Sequence, residues 1–109
     1  MAWLLRRGEV LASVDLLAGQ GRRGLSRSGC APVDGIAVLS RTRLVHTLTL
    51  RRPLDVAYLS EDLVVLATRR FPPRRMGLPR RAPRPVLRAE AGSFERWLLR
   101  AGDQLELKE

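Results

Sequence analysis

Asparagine is absent from this chain of 109 residues, and isoleucine, lysine, histidine and cysteine occur once each, as Ile36, Lys108, His46 and Cys30. A lone cysteine excludes an intrachain disulfide and a cysteine-based metal cluster, and it suits a reducing compartment. One histidine with scattered carboxylates falls short of the three or four clustered ligands that zinc prefers, so neither a metal nor another cofactor is expected. Long apolar runs are missing too. None approaches the roughly 18 to 20 residues of a membrane span. The opening Met1-Ala2-Trp3-Leu4-Leu5-Arg6-Arg7 places its few apolar residues ahead of its charges, the reverse of a secretory leader. The expectation is a soluble, cytoplasmic protein with no membrane span and no disulfide partner.

What is present is arginine. The formal net charge is +9, and of the 20 basic residues only Lys108 is not an arginine. Guanidinium forks bind phosphate and carboxylate in a bidentate manner, which points to an anionic partner, a nucleic acid or an acidic protein surface. A GC-rich genome would also produce abundant Arg, Ala, Gly, Leu and Pro without any binding role, and this reading carries more weight on composition alone. The length fits one domain, residues 1–109, with a single core.

Along the chain, short apolar runs alternate with turn signals, the pattern of a mainly β protein. Strands are expected at 2–5, 9–14, 36–39, 44–50, 54–59, 63–71, 86–91 and 104–108. Asp15 is placed to cap a helical turn through Leu16-Leu17-Ala18, and Ser93 to cap a short helix whose Phe94, Trp97 and Leu98 make an apolar stripe. Trp3, Phe94 and Trp97 are expected in the core or docking the helix. Residues 71–85 contain Pro72, Pro73, Pro79, Pro83 and Pro85 and form a Pro/Arg-rich loop. The expected fold is a compact single-domain β barrel or sandwich with one or two short helices.

Several stretches together resemble the domain of unknown function 192 family, in its short soluble branch. They are Arg23-Gly24-Leu25; Val45-His46-Thr47 followed by Arg52-Pro53-Leu54-Asp55-Val56-Ala57-Tyr58-Leu59; Pro72-Pro73-Arg74 and Gly77-Leu78-Pro79; and Val86-Leu87, Ala91-Gly92, Phe94-Glu95-Arg96-Trp97 and Gly102-Asp103. The match runs through most of the chain, from about Arg22 onward. Leu50 stands where the family usually has methionine, a mild change, and Arg88 where it usually has glutamate, a reversal of charge. The resemblance implies a compact, mostly β fold with one or two short helices, and no particular reaction.

Two groups of residues are candidates for function. The first is a polar cluster of His46, Thr47, Asp55, Arg23, Arg51 and Arg52. If 44–50 and 54–59 paired as neighbouring strands, His46 and Asp55 would meet, either to satisfy buried polar groups or as a base with an orienting carboxylate. A nucleophile would then have to come from Ser40, Thr42 or Thr47. The second is the basic stretch with Arg69, Arg70, Arg74, Arg75, Arg80, Arg81 and Arg84, set in a run from Leu63 to Ala89 that holds no acidic residue. It would contact phosphates or an acidic protein surface. Only Phe71 offers a stacking ring there, which argues against sequence-specific nucleic-acid recognition. The leading expectation is a non-enzymatic binding or accessory domain for an anionic partner. The rivals are a small enzyme or ligand-binding protein around His46 and Asp55, and nonspecific nucleic-acid binding by charge.

Overall fold

Alternation along the first residues builds a hairpin. In the computed structural model, which describes residues 2–17, 36–45, 51–77, 79 and 81–109, strand β1 (Ala2–Arg6) pairs antiparallel with β2 (Glu9–Leu17). Ala2 and Leu4 point inward and are buried, whereas Trp3 between them is 49% exposed, against the expectation that it joins the core. The two connecting residues, Arg7 and Gly8, both have positive φ (54° and 82°), as a type I′ turn requires. Gly8 adopts this without strain, and its twist matches that of the flanking strands.

Asp15, Leu16 and Leu17 continue β2 instead of starting a helical turn. The ladder to β3 (Ile36–Thr42) fixes their backbone: Ser13 to Leu17 align in parallel with Ile36 to Ser40. A parallel pair demands a crossover, here residues 18–35, which lie outside the described residues together with Arg23 and Cys30.

Strand β4 (Leu54–Leu59) lies between β5 (Val65–Phe71) and β6 (Arg84–Glu90), antiparallel to both. Both edges of β4 are thus occupied by described strands, and the strand expected at 44–50 falls mostly outside the described residues. Residues 46–50, including His46 and Thr47, lie outside the described residues. The strand β6 begins at Arg84, before the last proline of the Pro/Arg loop, because Pro85 aligns with Arg41 near the end of β3. After β6 come the helix α1 (Ser93–Trp97) and the short strand β7 (Glu106–Lys108), which pairs with β1.

The strand order is β5-β4-β6-β3-β2-β1-β7. Its two ends meet. The Val65 N–H donates to the Asp103 carbonyl at 2.8 Å, the Gly102 N–H to the Val65 carbonyl at 2.7 Å and the Leu105 N–H to the Leu63 carbonyl at 2.9 Å. The sheet therefore curls into a barrel, closed where β5 begins and where the chain enters β7. Inside, Leu4, Val14, Leu59, Val65, Leu87 and Leu105 pack with Ala37, Ala57 and Ala89. Phe94 and Leu99, from α1 and just beyond it, join the same cluster. A second cluster forms on the outer face of β4, β5 and β6 from Leu54, Val56, Phe71 and Val86 with Val45. Burial on both faces explains why β4 reads Leu-Asp-Val-Ala-Tyr-Leu without a polar side.

Candidate functional site

A carboxylate in a strand with both faces buried must find donors, and Asp55 finds three. The residue is 3% exposed. Its Oδ1 accepts from Arg70 Nε at 3.0 Å, and its Oδ2 accepts from the backbone N–H groups of Gly92 at 2.9 Å and Phe94 at 3.1 Å. Register places Arg70 directly across from Asp55 on β5, so the ion pair is a cross-strand pair. The helix α1 has no side-chain cap of its own, and Gly92 takes the N-cap position with φ 98°. Ser93 thus lies within the first turn and is not the cap; the capping carboxylate reaches in from a strand 37 residues earlier.

Arg70 also donates to Glu95 Oε1 at 3.3 Å, so one guanidinium joins β4, β5 and α1. Its hydrogen bond to Asp55, then the charge of Asp55 and the bond to Glu95, raise its already high pKa. Above this network an open groove of about 450 Å³ runs between β5 and the segment after the helix. Thr68, Arg69 and Arg70 form one wall and Leu98, Leu99 and Arg100 the other, with Phe94 and Glu95 between. Leu98 is 68% exposed and holds a left-handed backbone conformation (φ 56°, ψ 40°), a position usually given to glycine. On the far side of α1, Arg6 donates to the Trp97 carbonyl at 2.6 Å, the Leu98 carbonyl at 3.1 Å and Asp103 Oδ2 at 2.9 Å. A cation there complements the negative end of the helix. The Phe94 and Trp97 rings lie 5.7 Å apart.

Arg51 and Arg52 are exposed, as are Arg69, Arg70, Arg74, Arg75, Arg81 and Arg84; Arg23 and Arg80 lie outside the described residues. Arg69 stacks over the Phe71 ring at 5.2 Å. Arg41 is held by Glu61 through two bonds, 2.6 and 3.0 Å, and donates to the Pro83 carbonyl. Arg88 is buried among the outer-face residues and donates to Ser40 Oγ at 2.8 Å. It is therefore withdrawn from the surface that its neighbours present. Among the described residues no three His, Cys, Asp or Glu side chains gather as metal ligands, and no helix is long and apolar enough to cross a membrane.

No family model matches the sequence, and no curated protein matches it. Two solved structures share the fold. One is a "putative transcription regulator" from Sinorhizobium meliloti 1021, with a TM-score of 0.70 and 21% identity over 97% of this chain and 91% of that one. The other is a protein of unknown function from Novosphingobium aromaticivorans DSM 12444, with a TM-score of 0.71 and 16% identity over 96% of this chain and 82% of that one. At these identities the likeness concerns the fold.

Sequence reasoning singled out Asp55 and set it beside His46, which lies outside the described residues; the partners seen are Arg70 and the Gly92 and Phe94 amides. A single acid in an otherwise apolar strand, and a helix start with no capping side chain, were the two halves of the signal. The roles of Arg6 and Asp103 were missed because they depend on barrel closure, and Leu98, expected in the helix's apolar stripe, is exposed.

Proposed function

We propose that this chain is a non-enzymatic binding or accessory domain that works in the cytoplasm and presents a basic surface to an anionic partner. The observation that carries the reading is the run from Leu63 to Ala89, which has no acidic residue and keeps Arg69, Arg74, Arg81 and Arg84 exposed. The ordered motif series along the chain supports membership of the domain of unknown function 192 family, with its Leu54–Leu59 part forming β4. Asp55 supports a structural role more than a catalytic one, since both its oxygens already accept bonds that hold α1 in place.

Binding through such a surface is dominated by ion release and depends steeply on salt. Fluorescence anisotropy with labelled poly-glutamate and with a labelled single-stranded oligonucleotide tests this. Saturable binding of at least one probe at low salt is expected, weakening linearly on a logarithmic plot as salt rises, and weaker in the Arg69→Glu/Arg74→Glu double variant. Absence of binding by both probes at low salt contradicts the proposal. Preference between the probes separates an acidic protein surface from a nucleic acid.

A further inference from the structure

Barrel closure is incomplete, and the gap has a definite chemistry. The backbone of β5 bonds to the segment entering β7 only at Val65; beyond it, Leu66 sits at a break in register, and Ala67 to Phe71 pair with β4 on one side and with no strand on the other among the described residues. Five consecutive residues of this strand, Leu66 to Arg70, are exposed. At roughly 3.4 Å per residue they offer about 17 Å of strand edge. Proteins usually hide or shorten such an edge, because it templates the addition of another strand.

Here the edge is the wall of the groove beneath Leu98. We propose, building on the anionic-partner reading, that the outer edge of β5 takes an extended acidic peptide segment of a partner protein by strand addition. Main-chain bonds to the edge would supply affinity, and alternate side chains would supply specificity. Thr68 and Arg70 share the face of Asp55 and α1, where Phe94, Leu98 and Leu99 make an apolar floor, whereas Arg69 lies on the opposite face. The segment that fits alternates aliphatic residues toward Leu98 with carboxylates toward Arg69. Arg69 makes no ion pair among the described residues and so remains available to the carboxylates.

Leu98 gives an independent reason. A bulky residue in the left-handed region is strained relative to glycine, and this one gains little burial in return. Contact with a partner accounts for its side chain.

The test uses the full chain and a fluorescein-labelled hexapeptide alternating valine and glutamate. Three comparison probes are a block peptide of the same composition, the alternating peptide N-methylated on every second residue, and the single-stranded oligonucleotide. The alternating peptide is expected to bind about tenfold more tightly than either modified peptide, since N-methylation removes the donors of a strand without changing charge. Leu98→Gly is expected to weaken peptide binding about fivefold while leaving the melting temperature unchanged or higher. Equal binding of the N-methylated peptide would overturn strand addition. Binding of the oligonucleotide without the peptide would overturn it and leave the anionic-partner reading standing; binding of no probe would remove both. Dimerisation abolished by Leu98→Gly in the absence of peptide would put a second copy in the groove and overturn the peptide assignment.

Discussion

Asp55 shows what one buried side chain can fix. Its two oxygens replace the missing cap of α1 and anchor Arg70, so removing the carboxylate leaves two backbone donors without their acceptor, of which the Phe94 N–H is buried. Unsatisfied buried groups cost about 1–3 kcal/mol each, and Asp55→Ala is expected to lower stability by about 2–4 kcal/mol in denaturant titration. Asp55→Asn keeps one acceptor for the helix and loses the charge facing Arg70, so a smaller loss of about 1–2 kcal/mol is expected. An unchanged midpoint in Asp55→Ala would show that the helix holds itself. Asp103 sits at the opposite end of α1. Burial pushes its carboxyl up, but the Arg100 N–H and the Arg6 guanidinium more than offset this and hold it below the usual value. The carboxylate therefore stabilises the fold above about pH 4, the ordinary range, and this contribution disappears as pH falls through its lowered native value. The stability difference between the native chain and Asp103→Asn is expected to be constant at neutral pH and to shrink below about pH 4; a difference that grows on acidification would contradict the pairing. Neither residue's role was legible locally, because the partners lie 37 and 97 positions away.

At the scale of elements, alternation identified most strands, and failures occurred where tertiary pairing overrode a local signal. Asp15 reads as a cap, yet its neighbours complete a parallel ladder with β3. Pro85 reads as a breaker, yet it is accommodated at the strand end opposite Arg41. The loop after β5 is ordered by close contact. A Cβ on Gly77 would meet the Phe71 ring at 3.1 Å and the Val45 carbonyl at 3.3 Å, and the Gly77 N–H donates to that same carbonyl at 2.9 Å. Gly77→Ala is expected to displace the Phe71 ring and to destabilise by about 1 kcal/mol, with little effect on the inner cluster. A thermal melt at native stability would show that the ring moves aside freely. Glycine at this place was visible in sequence, but the atoms that require it were not.

For the whole molecule, mainly β architecture and a single short helix among the described residues follow from composition and periodicity, and the radius of gyration of 12.6 Å is that of a compact globule. The choice between barrel and sandwich was open until the bonds between Leu63–Val65 and Gly102–Leu105 appeared, since pairing the first and last edges of a sheet leaves no local pattern. The charge of +9 was legible, but its arrangement was not: Arg88 turns inward, Arg6 and Arg41 serve internal bonds, and the arginines of β5 line a groove. The account therefore rests on where an anionic segment docks. Backbone amide shifts recorded by NMR during titration with the alternating valine–glutamate peptide test it most directly. The predicted result is saturable shifts concentrated at Leu66–Phe71 and Leu98–Arg100; shifts centred on the Pro/Arg loop, or none at all, would contradict it.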